Sequence, residues 1–299
     1  MGCAITRISI DVKNIQLLDF MEKLHAIYEV ANIERKKHPD KSILDANRQT
    51  LEPYIYMYLM ESYGPMLEAH WKTYVPPKKS ENVFMIAERR AHPNFRFILQ
   101  NIAWAGPDMA VYLFCSDENL AFIEALLGDK KVHFHIIPVF IGNPDREQGK
   151  ISYNNLLTDY RFYQRIDANY VLTVQMDNIF RKKIDPLMFV GDYWGNPWHW
   201  KPSAPGGGGA TVRRINAMIE LCRTHRPDPN SLFEGIEDNW FCNHVTAYPD
   251  LSFRAQHMME TVIVEDPYIL HQFWTFAHEY LHLSRDKFIE TWRKLLTIA

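Results

Sequence analysis

The stretch VFMIAERRAHPNFRFILQNIAWAGPDMAVYLFCS occupies residues 83–116. Its ends, VFMIAE (83–88) and MAVYLFCS (109–116), are short apolar runs with sharp boundaries, the pattern of buried strands. Its middle, FRFILQNIAWA (95–105), reads as a helix. Working outward, ENLAFIEALLG (118–128) is a helix closed by Gly128, and KVHFHIIPV (131–139) is a third strand. YNNLLTDYRFYQRI (153–166) is a helix, and YVLTVQMDN (170–178) is a fourth buried strand ending in a carboxylate. Strands alternating with helices predict an α/β fold with a parallel, doubly wound sheet. After the loop PSAPGGGGA (202–210), TVRRINAMIELC (211–222) predicts a further helix with Val212, Ile215, Ile219 and Cys222 on its inner face.

Upstream, residues 10–75 carry helical periodicity. Ile15, Leu18, Met21 and Leu24 share one face, and LEPYIYMYLMESYGPMLEAHW (51–71) is similar but interrupted by Pro53 and Pro65. VPPKKSEN (75–82) reads as a linker. Two regions follow: a helical N-terminal region over 1–78 and the α/β domain with a C-terminal helix over 79–299.

Composition narrows the function classes. A hydrophobic content of 47% with 23% charged residues is the profile of a globular domain, and a net charge of −3 gives no electrostatic case for a nucleic-acid partner. Cys3, Cys115, Cys222 and Cys242 are widely spaced, which suggests neither a disulfide framework nor a zinc knuckle. No apolar run approaches a membrane span and no secretory segment opens the chain, so a cytoplasmic location is expected. The start MGCAIT fits an acylation pattern at Gly2 and Cys3; membrane association would need both lipids, and the simpler reading is that Gly2 is incidental.

Four stretches could carry chemistry. Asp177 arrives at the carboxyl edge of the sheet, where open α/β sheets bind ligands, and suits a hard divalent cation, or else caps a turn. GDYWGNPWHW (191–200) crowds Trp194, Trp198 and Trp200 around a turn, offering flat faces to sugar rings or tucking them into the core. GGGGATVRR (206–214) allows close backbone approach, with the following helix offering its N-terminal amides to an anion. It is not a phosphate-binding P-loop, since no Gly-Lys-Ser/Thr follows. FEGIEDNWF (233–241) sets Glu237 beside Asp238 in an apolar setting, where burial would make one a usable base; alternatively both are first-turn acids of a helix. His133 and His135 share a strand face, and satisfied strand histidines are the simpler reading there.

The order of these stretches resembles a glycosyltransferase-like family whose motifs are close to F-Q-T-D, G-A-P-W, G-N-G-G-x-S-x-R and E-D. Here they stand as VQMD (174–177), GNPW (195–198), GGGGATVR (206–213) and EDNWF (237–241), with AERRAHPNFRFILQN (87–101) similar to that family's first strand and loop. The resemblance spans roughly residues 80–275. That family is similar to GT-A glycosyltransferases, which implies a Rossmann-like α/β/α sandwich binding a nucleotide sugar, here with a mainly helical N-terminal extension. It implies transfer of a sugar from a nucleoside-diphosphate sugar, a UDP-sugar in the first instance, to a glycan or other hydroxyl acceptor. Asp177 takes the second acidic position of the metal motif for Mn²⁺ or Mg²⁺, and Gln175 stands neutral at the first. His271 in ILHQFW sits where a late metal ligand is expected. Asp238 is implied as the base of an inverting reaction, with Glu237 as the alternative. Ala87, Glu88, Arg89, Gln175 and Met176 would line the nucleotide, Gly207, Gly208 and Gly209 the floor of the sugar site, and Trp198 would pack near the donor or acceptor sugar.

Two other classes stay open. The neutral Gln175 fits a catalytically inactive nucleotide-sugar or glycan binder. AHEYLHLS (277–284) contains His278, Glu279 and His282 in the H-E-x-x-H spacing of a zinc protease helix, but no third ligand follows in place. The same stretch reads as a terminal amphipathic helix through Phe276, Tyr280, Leu283, Lys287 and Glu290.

Overall fold

A computed structural model describes residues 20–37, 42–140, 153–227, 236–275 and 283–299. Gly2, Cys3, Ile15, Leu18 and the His278, Glu279 and His282 triplet lie outside these described residues.

Two helices come first, α1 (Phe20–Lys37) and α2 (Ser42–Thr73). The chain then alternates: β1 (Asn82–Ala87), α3 (Phe95–Ala105), β2 (Ala110–Ser116), α4 (Leu120–Leu127), β3 (His135–Phe140) and β4 (Tyr170–Thr173). There follow β5 (Asn178–Phe180), β6 (Tyr193–Asn196), β7 (Gly207–Arg214), α5 (Ile215–Thr224) and α6 (Glu237–His244). The chain closes with α7 (Leu251–His257), β8 (Met258–Met259), β9 (Ile269–His271) and α8 (Arg285–Leu295).

The main sheet has the order β3-β2-β1-β4-β7-β6. β1 to β4 are mutually parallel, while β7 runs antiparallel to β4 and β6 antiparallel to β7. A small second sheet, β5-β9-β8, lies beyond the carboxyl end of β4. The expected α/β architecture with a mainly parallel, Rossmann-like sheet is therefore present. Alternation along β1 builds both halves of the sandwich: Phe84 and Ile86 enter a core shared with α1, α2 and α3, and Val83, Met85 and Ala87 enter one shared with α5 and α6.

Several local expectations fail for identifiable reasons. α2 is one helix straight through Pro53 and Pro65. Each internal proline costs about 3 kcal/mol, but Leu51, Ile55, Leu59 and Leu67 are all fully buried along its length, and each such burial contributes about 1.5–3 kcal/mol. Residues 153–166 form two short helical pieces rather than one helix, because the Asp159 side chain accepts a hydrogen bond from the Arg161 backbone N–H and starts a new turn. β3 begins only at His135; His133 belongs to a preceding 3-10 turn. His135 is satisfied locally, with Nε2 2.7 Å from the Lys78 carbonyl and its ring stacked on Tyr112 at 4.1 Å. The helix expected from Thr211 starts at Ile215, because residues 207–214 pair with β4 on one side and β6 on the other. The last helix starts at Arg285, capped by the Ser284 side chain, so Leu283 precedes it. Among the described residues no helix is long and apolar enough to cross a membrane.

Candidate functional site

β2 and β3 extend the sheet to one side of β1, and β4 lies on the other. The crossover direction thus reverses between β1 and β4, the point at which an open α/β sheet leaves a crevice at its carboxyl ends. Ala87, Glu88 and Arg89 form the end of β1, and Gln175, Met176 and Asp177 follow the adjacent end of β4. The β1 end is tied down: the Asn119 side chain donates to the Glu88 and Arg90 carbonyls, and the Ser116 hydroxyl to that of Arg89. Glu88 is gripped by Arg90 through bonds of 2.9 and 2.8 Å, and Arg89 pairs with Glu118 at 3.5 Å.

The turn after β4 is held just as firmly. The Asn178 side chain accepts from the Gln175 backbone N–H at 2.6 Å. From α2, the Tyr56 hydroxyl lies 3.2 Å from the carbonyls of both Met176 and Asn178, the residues flanking Asp177. The Asn94 side chain donates to the Met176 carbonyl at 3.0 Å. Met176 thus contributes its backbone here, while its side chain belongs to the core. The Gln175 amide donates to the Tyr153 hydroxyl at 3.1 Å.

β9 pairs with β5 so that His271 stands opposite Asn178. The next residue, Gln272, adopts φ +30°, a left-handed conformation uncommon for a non-glycine, and its N–H donates to the Asp177 carbonyl at 3.1 Å. His271, 94 residues from Asp177 in sequence, consequently meets it: Nε2 is 3.2 Å from Asp177 Oδ1, and Nδ1 is 3.1 Å from Glu260 Oε1. Glu260 also accepts from Trp198 Nε1 and Gln272 Nε2, both at 3.2 Å. Burial works against a charged imidazole, but Asp177 and Glu260 on its two nitrogens outweigh that and push its pKa up to about 10.

The donor set fits a divalent cation. The buried His271 Nε2 has no aligned hydrogen bond, and two ligands about 2.1 Å from one cation at right angles stand about 3 Å apart, close to the Asp177–His271 separation. Nδ1 likewise has no aligned hydrogen bond, and Glu260, 3.1 Å away, stands where a carboxylate would orient a metal-binding imidazole. Among the described residues no group of three or more His, Cys, Asp or Glu is arranged to hold a metal by itself. Asp177 and His271 would supply two ligands and leave the remaining positions to substrate oxygens, as Mg²⁺-type sites do.

The three glycines that open β7 allow this cluster to meet a second one. A Cβ on Gly207 would stand 2.6 Å from Asp238 Cγ and 2.7 Å from Trp198 Cζ2. On Gly208, at φ +87°, it would stand 2.8 Å from His271 Nδ1, and on Gly209 2.6 Å from His271 Nε2. Real side chains do not fit at such distances, so the glycines are required by the close approach of both clusters. The expectation that this stretch presents a helix N-terminus to an anion is corrected: β7 runs antiparallel to β4, so Ile215 lies at the amino end of β4, where its N–H donates to the Asn169 carbonyl.

The second cluster sits in the first turn of α6, held against β6 and β7. Asp238 Oδ2 accepts from the Gly208 N–H at 2.9 Å and Oδ1 from the Tyr193 hydroxyl at 2.8 Å. Burial raises its pKa, while Arg213 and those two donors pull it down. Glu237, fully enclosed, lies 3.7 Å from Arg213 Nη2. Burial and the neighbouring Asp238 push the Glu237 pKa up to about 8, against the pull of Arg213. Arg213 itself bonds Thr211 and Tyr163 at 2.8 Å each and lies 5.2 and 4.9 Å from the ring centroids of Tyr193 and Phe241, which stack on each other.

Asp177, His271, Gln175, Gly207, Gly208, Gly209, Trp198, Glu237 and Asp238 therefore converge, with Ala87, Glu88 and Arg89 at the neighbouring strand end. Sequence reasoning missed Glu260, Tyr193, Arg213 and Tyr56. It also passed over Arg90, whose guanidinium lies within reach of the Asp177 charge.

A sequence family described as "Protein of unknown function (DUF5672)" matches residues 144–266. That span includes Asp177, the glycines, Glu237, Asp238 and Glu260 and stops short of His271. No curated protein matches the chain. Among solved structures, the chain is similar to the apo-form glycosyltransferase GlyE of Streptococcus pneumoniae TIGR4, with a TM-score of 0.46 and 11% identity over 73% of this chain. The chain spans 64% of the length of that neighbour.

Proposed function

We propose that this protein is a glycosyltransferase that moves a sugar from a nucleoside-diphosphate sugar, a UDP-sugar in the first instance, to a hydroxyl of a glycan or glycoconjugate. The observation that carries the reading is the pair of carboxylate clusters meeting across Gly207–Gly209 at the switch point of the sheet. Gly207 touches Asp238, and Gly209 touches His271 beside Asp177. Gly208 joins them, its N–H bonded to Asp238 Oδ2 and its Cβ position facing His271 Nδ1, so one short stretch of backbone would position both a base and the group that holds the leaving diphosphate.

Asp238 accepts the proton of the acceptor hydroxyl as that oxygen bonds to the anomeric carbon. Its two hydrogen bonds fix the carboxylate, and each oxygen keeps a lone pair for the proton. The bond from the anomeric carbon to the diphosphate oxygen breaks, and the nucleoside diphosphate leaves with the electron pair. One displacement from the opposite face inverts the configuration. Asp177 and His271 would hold Mn²⁺ or Mg²⁺, which supplies Lewis-acid stabilisation of the departing charge. The strand end Ala87–Arg89 and Gln175 line the nucleotide, and Trp198 bounds the sugar.

Gln175 gives an inactive nucleotide-sugar binder a specific footing, because it is neutral and already engaged with Tyr153. Calorimetric titration of UDP into metal-stripped protein, with and without Mn²⁺, tests the shared premise. Mn²⁺-dependent binding that disappears in Asp177→Ala is expected. UDP, GDP and dTDP all failing to bind would overturn both readings. Nucleotide binding without sugar transfer to any acceptor would select the inactive binder.

A further inference from the structure

Tyr153 lies beside both clusters and comes from a third part of the fold, the helical turn over 153–157. Its ring is partly buried against the core shared with α5 and α6, the side of the sheet that carries Glu237 and Asp238. Its hydroxyl meets the other cluster through Gln175, whose Nε2 donates to it at 3.1 Å. Gln175 in turn borders His271 at the glycine strand, since a Cβ on Gly209 would stand 3.0 Å from Gln175 Cβ and 2.6 Å from His271 Nε2. The charges of Glu237 and Asp238 both act on the phenol through space. One hydroxyl is thus tied to the residue beside the Asp177–His271 group while facing the field of the acid pair.

The hydrogen-bonding inventory of this pair is incomplete within the protein. A phenol offers one proton and two lone pairs. Gln175 takes one lone pair, and among the described residues none accepts the proton. Burial, with Glu237 and Asp238 nearby, pushes the Tyr153 pKa above its ordinary value, so the hydroxyl stays protonated and remains a donor. Turning the Gln175 carboxamide over would exchange donor and acceptor between the two side chains, yet the pair would still hold an unused donor beside an unused acceptor. That combination matches a hydroxyl, which gives one proton and takes another. A diphosphate oxygen only accepts. On the proposed reading the transferred sugar lies between the diphosphate held at Asp177 and the base at Asp238, so its hydroxyls pass the phenol.

We propose that Tyr153 is a specificity-determining residue whose hydroxyl bonds a hydroxyl of the transferred sugar, with Gln175 holding the phenol in place. This role rests on the glycosyltransferase reading and adds to it a group that selects the sugar of the donor. Calorimetry of the full chain with Mn²⁺ tests it by comparing UDP with UDP-glucose, UDP-galactose and UDP-N-acetylglucosamine in the wild type and in Tyr153→Phe. GDP and dTDP with their hexose conjugates take the place of these where UDP fails. Tyr153→Phe keeps the packed ring and removes the hydroxyl alone. A sugar nucleotide that binds the wild type should bind the variant roughly three- to tenfold more weakly, while affinity for the free nucleoside diphosphate stays within about twofold. Equal weakening of both would make Tyr153 a prop for the turn that carries Gln175 and Asp177 and would overturn the proposal. So would sugar-nucleotide affinity that ignores the substitution, or free nucleotide binding with no sugar nucleotide bound, and each of these leaves the nucleotide site standing. A chain that binds none of the nucleotides, free or conjugated, would overturn the role of Tyr153 together with the reading beneath it.

Discussion

The clusters on the two sides of the glycine strand are built to one formula, a pair of acids around one buried cation, and they differ in the cation. Glu237 and Asp238 surround Arg213, whose charge does not titrate in the working range and whose guanidinium is fixed by Thr211, Tyr163 and two aromatic rings. Asp177 and Glu260 surround His271, which can give up its proton and accept a metal through the same nitrogen. The Arg213 side is therefore a permanent electrostatic frame that keeps a buried acid pair in place. On the proposed reading, the His271 side is an exchangeable site. Removing an acid should have opposite consequences on the two sides: loss of chemistry at α6, loss of ligand at β9.

The largest effect is expected at Asp238. In Asp238→Asn the hydrogen bond from the Tyr193 hydroxyl can persist while the proton acceptor is gone. Turnover with an identified donor and acceptor should fall by roughly 10²–10⁴, with nucleotide affinity by calorimetry within about twofold. Full activity in this variant would remove Asp238 as base and turn attention to Glu237. Equal loss of binding and turnover would show that both clusters serve the nucleotide and would erase the contrast.

A smaller effect is expected one shell out from the exchangeable site. Glu260→Gln keeps the shape beside His271 but removes the charge facing Nδ1. Removing a partner of this kind typically costs ten- to a hundredfold in metal affinity, so Mn²⁺ affinity measured by calorimetry should fall by about that factor. A change no larger than twofold would reduce Glu260 to a packing role under Trp198 and Gln272.

How far the sequence revealed this arrangement depends on how local each signal is. The strands β1, β2 and β4 and the helices α3 and α4 were legible because each carries its burial pattern within a single short run. β7 was not: Val212, Ile215, Ile219 and Cys222 recur at helical steps across the junction, so the period alone could not show that Val212 belongs to a strand. α2 was misread for the converse reason, since local proline chemistry was outweighed by packing against α3 and the sheet. Within the site, Asp177 was legible because an apolar run ends on it, and the Glu237–Asp238 pair because two acids stand in an aromatic setting. Glu260 and Arg213 carry no such mark. Glu260 is a single acid in MMETV, and its partner His271 reaches it only through the pairing of β8 and β9. Arg213 looks like an exposed helix position until β7 places it beneath α6. His271 was singled out by family resemblance alone, because its position beside Asp177 is created by an antiparallel pairing across 93 residues of chain between Asn178 and His271.

The smallest effect concerns stability and sharpens the contrast from the Arg213 side. The folded protein raises the Glu237 pKa to about 8 from an ordinary carboxyl value near 4.5, so the folded state binds that proton more tightly than the unfolded chain. Its contribution to stability is therefore complete below the ordinary carboxyl range and is lost as pH rises through about 8. Asp238 is shifted in the same direction, also by burial. Arg213 limits the loss, because it gives the ionised carboxylate a partner at 3.7 Å. Thermal unfolding of the wild type should accordingly fall in Tm between pH 6 and pH 9, and Glu237→Gln, which has no proton to lose, should show a shallower fall over the same interval. Glu237→Gln also leaves Arg213 without that partner, which lowers Tm at every pH but does not tilt the profile, since the guanidinium stays charged throughout. The slope is thus the informative quantity. Parallel wild-type and variant profiles would mean that Arg213 holds Glu237 ionised from low pH onward, making the α6 cluster a fixed ion pair with Asp238 its only titrating acid.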